Sequence, residues 1–299
     1  LEVDTICELL PIRRDSKILD LCGGHGRHSL ELCARGFTCC TLLDYSQALI
    51  DCAKARAVEC NLSIEAVQSD ARSTGFPDEF FDHVLIMGNS LGYIKSPADS
   101  LIMSEAFRLL RPGGWVVVDV TDGNAIKNNF NPESWHEIND HTVVCRKREL
   151  IGNTIHAREM VFNKQKGLIR DQTYAIRLYR SQTLGSLLEK AGFQQVTFRT
   201  GFSPHGSKGD YVFMNNRMLA TGREGRRRAI GWLLPAATAM ALLALALGLA
   251  VRQPRAPRSG TVAERPPTAA ASSSPGQQIQ FTTDSGILVV WVLQPRLSS

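Results

Sequence analysis

The chain has 299 residues, 43% of them hydrophobic and 21% charged, and a formal net charge of +5. That apolar share is too high for a disordered polymer, and the length allows more than one structural unit. The final 77 residues hold nine Arg against three acids, and the rest holds 25 Lys and Arg against 26 acids, so the composition excludes a broadly basic nucleic-acid surface on the larger part.

In chain order, the first informative run is Lys17-Ile18-Leu19-Asp20-Leu21-Cys22-Gly23-Gly24-His25-Gly26-Arg27-His28. Ile18, Leu19 and Leu21 suit a parallel strand covered on both faces. Gly23, Gly24 and Gly26 allow a tight turn and let a ligand approach without meeting a Cβ. A helix follows over Ser29 to Arg35 and stops at Gly36. A helix N-terminus facing a glycine turn predicts a nucleotide-type cofactor site. The fit to an NAD module is poor. Ser29 stands where the third glycine of G-x-G-x-x-G belongs, and Asp20 would repel a pyrophosphate while suiting a ligand with a free amino group. An ordinary glycine-rich turn without a ligand is the plainer alternative.

Phe37 to Leu43 reads as the second strand, closed by Asp44, which lies 18 residues after Gly26, near the spacing of a ribose-binding acid. Asp44 also suits the start of a helix over Ser46 to Cys60. Ile64 to Gln68 is a short third strand leading to Asp70, which serves equally as a turn-former. Val84 to Met87 is a buried fourth strand that delivers Gly88-Asn89-Ser90-Leu91-Gly92-Tyr93 to the carboxyl edge of the sheet, where open α/β folds bind ligands. Pro97 to Leu110 is an amphipathic helix stopped by Arg111-Pro112-Gly113-Gly114, and Trp115 to Val120 is the fifth strand. Residues 121–180 are an insertion. His141 to Leu150 and Thr154 to Asn163 alternate as strands around Ile151-Gly152-Asn153, with Tyr174 to Tyr179 as a third. Ser181 to Ala191 is a helix ended by Gly192, and Gln195 to Thr200 and Tyr211 to Met218 are closing strands. All eight cysteines (Cys7, Cys22, Cys33, Cys39, Cys40, Cys52, Cys60 and Cys145) precede the tail and contain no C-x-x-C pair, so they read as reduced and mostly buried. The glycines and the strand–helix context explain Cys22-x-x-His25-x-x-His28 better than a metal does.

Residues 1 to about 220 resemble the class I S-adenosylmethionine-dependent methyltransferases, whose first strand ends in D-x-G-x-G-x-G. Asp20, Gly24 and Gly26 match, and Cys22 replaces the first glycine. A small-molecule sub-group with an L-D-L-C-x-G-H-G-R-H run is closely similar. The resemblance implies an α/β fold, a Rossmann-like sheet with helices on both faces and inserted antiparallel strands. It implies S-adenosyl-L-methionine as cofactor and a small-molecule methyl acceptor. It further implies that Asp20 organises the methionine amino group and that Cys22, Gly23, Gly24 and Gly26 lie under the ligand. Asp44 would take the ribose hydroxyls, with Tyr45 beside it. Asp70 would accept from the adenine amino group, with the Ala71 N–H on the ring, and Gly88 completes the set. Asn89 and Tyr93 are substrate-facing candidates, although Tyr93 serves equally as a packing aromatic. The absence of an N-P-P-Y or D-P-P-Y motif at Asn89 argues against methylation of DNA bases. Family insertions such as 121–180 cap the substrate pocket. His141, His156, Arg177 and Tyr179 are candidates to line it, but a solvated hairpin face explains the charged ones more cheaply, so no catalytic base is assigned. Because residue 1 is Leu, the true start of the family's N-terminal helical cap is expected to be missing.

The chain then changes character. Residues 223–228 are basic. Ala229 to Val251 is 23 residues without a charge. As a helix it would reach about 35 Å, enough to cross a hydrocarbon core of about 30 Å. Trp232 suits an interface. Residues 252–276 read as a Pro/Ala/Ser-rich linker, and 277–295 as a hairpin around Asp284-Ser285-Gly286. The tail resembles bacterial single-span membrane proteins of the anti-sigma-factor type, either as a gene fusion or as an assembly artefact.

These readings predict a methyltransferase domain over 1–222, tethered through 229–251 to a lipid bilayer, with the domain cytoplasmic and no nucleic-acid partner. The runner-up is a membrane-anchored regulatory or scaffold protein whose methyltransferase fold binds cofactor without turnover.

Overall fold

The computed structural model describes residues 1–94, 96–204, 216–225, 278–282 and 288–292. Strands β1 (Ile18–Leu21), β2 (Cys40–Asp44), β3 (Glu65–Gln68), β4 (Phe81–Ile86) and β5 (Leu110–Thr121) pair in parallel. With β10 (Phe193–Phe202) and β11 (Arg217–Glu224) they form a seven-stranded sheet in the order β10-β11-β5-β4-β1-β2-β3. Only β11 is reversed, antiparallel to both of its neighbours.

The central strands carry apolar runs because both of their faces are covered, whereas the edge strands β3 and β10 are largely exposed. Leu19, Val84, Val116, Val118 and Ala220 face one core, and Ile18, Leu85, Val117 and Leu219 face the other. Helices α4 (Ala98–Leu109) and α6 (Ser181–Ala191) close the first core through Met103, Leu184 and Leu188. Helices α1 (Glu2–Leu9) and α2 (Arg27–Ala34) close the second through Val3, Ile6 and Leu32. Each such buried Leu, Ile or Val contributes about 1.5–3 kcal/mol relative to exposure. Helix α3 (Gln47–Glu59) starts at Ser46, whose hydroxyl accepts from Leu49 N–H. Helix α6 ends at Gly192, as its sequence predicts. There φ is +109°, and a Cβ would stand 2.6 Å from the Phe107 ring.

Several boundaries differ from the sequence reading. Arg111 to Gly114 do end α4, but they lie within β5. Phe81 pairs with Leu110 and His83 with Trp115, so the four residues bulge out between. The last strand runs Arg217–Glu224, not Tyr211 to Met218, and residues 211–215 lie outside those described. Arg223 pairs with Trp115, and Glu224 accepts from Gly113 N–H at 2.9 Å, so the sheet continues past residue 222. The insertion holds helix α5 (Gly123–Asn128) and four antiparallel strands in sequential order: β6 (Glu133–Asn139), β7 (Thr142–Ile151), β8 (Thr154–Asn163) and β9 (Gly167–Arg177). Strand β6 was not expected, and β9 starts at Gly167 rather than Tyr174.

In the tail, β12 (Gln278–Thr282) and β13 (Leu288–Val292) pair antiparallel, as a hairpin requires. The expected span 229–251 and linker 252–276 lie outside the described residues. Among the described residues no helix is long and apolar enough to cross a membrane. All eight cysteines are free, but only Cys40 is buried, while Cys7, Cys39 and Cys60 are exposed. The reading of the thiols as mostly buried is therefore corrected: α1, the turn before β2 and the end of α3 each leave one in solvent.

Candidate active site

The chain leaves β1 toward β2 and β3 on one side, then returns to β4 on the other. That reversal opens a crevice at the carboxyl ends of β1 and β4, the place where open α/β sheets bind ligands. Ser90 ties its two walls together, its hydroxyl lying 2.7 Å from the Met87 carbonyl and 3.3 Å from the Cys22 carbonyl.

Asp20 closes β1 and is 1% exposed. Its Oδ2 accepts from the Ser29 hydroxyl at 2.6 Å, while Oδ1 is buried with no hydrogen-bond partner. A buried carboxylate oxygen without a donor is costly, so the site is built for an incoming donor. Gly23 makes room beside it: a Cβ there would stand 2.6 Å from the Asp20 carboxyl carbon and 2.3 Å from Leu42. Cys22, at the position of the motif's first glycine, takes the left-handed φ of +62° that a glycine would take. The substitution therefore keeps the shape of the loop.

Asp44 ends β2. Its Oδ2 accepts from Gly24 N–H and its Oδ1 from Ser46 N–H, both at 2.9 Å. Burial raises its pKa above the ordinary carboxylate value, against these hydrogen bonds. Each carboxylate oxygen has two lone pairs, so both retain acceptor capacity toward a diol. Tyr45 beside it is 60% exposed. Asp70 is engaged by its own neighbour: Arg72 forks onto both carboxylate oxygens and, with burial opposing, holds the pKa down. Ala71 packs its side chain into the first core.

On the β4 side, Gly88 has φ +74° and Asn89 φ +61°. Both rest on Asp119 of β5: Gly88 N–H donates to its Oδ2 at 3.1 Å, and Asn89 N–H to its carbonyl at 3.1 Å. Asn89 is buried, and its Oδ1 accepts from Thr121 N–H at 2.8 Å. Asp119 pairs at 2.5 Å with Arg217, and both are 0% exposed. Sequence reasoning missed this pair, although an acid inside Val116-Val117-Val118-Asp119-Val120 is the signal that marks it. It also missed Glu2, which pairs with Arg27 and stands 3.4 Å from His28 Nε2. Burial holds His28 down at about 4, so it is neutral at pH 7. Tyr93 is 43% exposed, yet burial is the chief cause that raises its phenol. Both hold for a side chain that is open to solvent but lines a cleft.

The insertion covers this side. Arg177 and the Tyr179 hydroxyl both meet Asp99 of α4, and Arg177 N–H donates to the Gly92 carbonyl at 2.9 Å. These two residues fasten the cap. His141 and His156 are exposed, as the solvated-face reading has it. Among the described residues no group of His, Cys, Asp and Glu is arranged to hold a metal, Cys22, His25 and His28 included. A cavity of about 540 Å³ between α1, α2 and the end of α3 contains no residue of the crevice loops beyond Arg27 and His28. Chemistry rather than size marks the site.

A family model described as a methyltransferase domain matches residues 18–114. The putative methyltransferase YqeM of Bacillus subtilis is 30% identical over 185 residues, 60% of this chain and 73% of that protein. The ubiquinone/menaquinone biosynthesis C-methyltransferase UbiE of Photorhabdus laumondii is 28% identical over 194 residues, 62% of this chain and 70% of that protein. A solved S-adenosylmethionine-dependent methyltransferase from Clostridium acetobutylicum superposes with a TM-score of 0.61 at 16% identity, covering 75% of this chain and 89% of that one. At that identity the likeness concerns the fold.

Proposed function

Since the chain belongs to the class I S-adenosylmethionine-dependent methyltransferases and moves a methyl group from that cofactor to a small molecule, we propose how its residues divide the work. Asp20, Asp44 and Asp70 hold the cofactor across the β1–β4 crevice, and the acceptor enters beside Asn89 and Tyr93 under the β6–β9 cap. The observation that carries this is the lone Asp20 Oδ1, buried beside a glycine loop with no donor of its own. An ammonium group is the donor its charge selects.

S-adenosylmethionine held there would supply an activated methyl group for in-line transfer to an acceptor, the broken S–CH3 bond leaving a neutral thioether. The protein's task is then positioning, which needs no strong general base. Asp44 orients a diol through its remaining lone pairs, with Tyr45 at the open side. Asp70 meets an amino group only as Arg72 shares its carboxylate. Asn89 is locked by Thr121 and Asp119, so the acceptor wall is rigid. Calorimetry should show binding of S-adenosylmethionine or S-adenosylhomocysteine and none of NAD. Tight NAD binding without S-adenosyl binding would overturn the assignment.

The reading extends to location. Residues 229–251 cross a bilayer as one helix, with the enzyme in the cytoplasm and 252–299 outside. Its support is the uncharged length, the flanking arginines and the cytosolic supply of the cofactor. The full chain should sediment with membranes and resist carbonate, and truncation after Gly225 should release a cofactor-binding domain. A soluble full chain, or a silent external reporter fused after Ser299, contradicts it.

A further inference from the structure

The cap sheet has two faces of different chemistry. On the outer face, charges are exposed and paired across strands: Arg158 with Asp171, and Lys164 with Glu137. On the inner face lies a row that register brings together, Ser134, Arg146, Glu159 and Gln172 on four successive strands. The next row holds Arg148, Ala157 and Tyr174, and the row on the other side holds Val144, Val161 and Arg170. Arg148, Glu159 and Arg170 are 5%, 1% and 6% exposed. Glu159 accepts from Arg146 at 2.7 Å and lies 3.6 Å from Arg170. Apolar clusters flank this patch at both ends, Ile138 with Val144 and Val161, and Ile155 with Ala157 and Ile126. The arginines therefore sit mid-face under cover and are not snorkelling from an edge.

We infer that this inner face is an oxyanion subsite for the methyl acceptor, with Arg146 and Arg170 as its principal receptors. The inference rests on the methyltransferase reading above and names its substrate class: a small molecule bearing a carboxylate or phosphate group. Guanidinium forks match such groups in geometry and charge. The patch faces the crevice side, since the same face packs through Ile155 and Ala157 on Ile126 of α5, the helix that follows the carboxyl end of β5. Burial pushes Tyr174 up to about 12, so at neutral pH its hydroxyl remains a donor. Glu159 tempers three guanidiniums that repel one another and holds two of them in place. An anion bound there points the rest of the acceptor past Tyr93 toward the crevice.

The test uses the full chain in mild detergent, saturated with S-adenosylhomocysteine. Inorganic phosphate, pyrophosphate and benzoate are titrated by calorimetry, so that phosphate and carboxylate recognition are separated. Saturable binding of at least one of them is expected. It should weaken at least tenfold in Arg146→Gln and Arg170→Gln and be unchanged in the outer-face variant Arg158→Gln. Glu159→Gln keeps the shape and removes the competing charge, so it should bind the anion more tightly. A purely structural ion-pair network would not produce that gain, and this variant decides the matter if the arginine variants do not fold. No saturable binding, or equal affinity in all variants, overturns the inference. Binding of S-adenosylhomocysteine in the same samples reports separately on the methyltransferase assignment.

Discussion

Ser29 divides the Asp20 carboxylate in two: its hydroxyl holds Oδ2 at 2.6 Å, and Oδ1 is left buried without a donor. The residue that breaks the dinucleotide fingerprint is thus the one that orients the acid. Asp20→Asn keeps the volume and removes the charge. Loss of a charge-assisted hydrogen bond costs about 1.5–3 kcal/mol, so affinity for S-adenosylmethionine should fall roughly tenfold or more. Calorimetry measures it, and unchanged affinity would remove Asp20 from the site.

Asp44 has two duties, since it also accepts from the Gly24 and Ser46 amides. Asp44→Ala should lower cofactor affinity at least about tenfold and loosen the glycine loop. Asp44→Asn keeps an acceptor oxygen for one amide and should restore part of the stability but little of the affinity. If Asp44→Ala binds cofactor normally, the carboxylate serves only the backbone.

Cys22 tests the loop itself. A non-glycine residue in the left-handed region costs about 1–2 kcal/mol, and a β-branched one more. Cys22→Gly should therefore stay within about 1 kcal/mol of the parent in urea unfolding, the relieved strain offsetting the added chain freedom. Cys22→Val should be clearly less stable. A stable valine variant would mean the backbone does not hold φ +62°.

Acid should weaken the fold before the carboxylates titrate. Burial holds His25, His28 and His83 at about 4 each, against an ordinary value of 6.5. Between those limits the unfolded chain binds more protons. Stability is thus full above about pH 6.5 and falls toward pH 4, by up to about 1.4 kcal/mol per pH unit for each histidine. Asp44, raised by burial, opposes this at the acid end. Urea midpoints at about pH 7.5 and about pH 5 compare the two states. A midpoint that holds or rises in acid contradicts the burial of these rings.

The parallel sheet was legible because its strands are apolar runs closed by acids and glycines, with Ile18 to Leu21 and Val84 to Ile86 as the plainest cases. Strand β6 was not, because Glu133, Trp135 and Glu137 face solvent and only Ile138 is buried. The early half of β9 was hidden likewise by its exposed residues around Arg170. Asp20, Asp44 and the glycines could be placed at the carboxyl edge of the sheet because chain-local spacing encodes them. The Asp119–Arg217 pair joins β5 to β11 across 98 residues, and the Arg146–Glu159–Arg170 patch depends on register between three strands. The fastening role of Arg177 and Tyr179 also escaped notice, since Asp99 lies in a different segment.

The reversed strand has a spatial consequence. Beginning beside Thr121 at the crevice edge, β11 ends with Arg223 against Trp115, at the opposite rim of the sheet. Any continuation beyond Gly225 therefore departs from the floor of the enzyme, one strand length from the mouth. A fusion partner joined after Gly225 is thereby kept clear of the mouth.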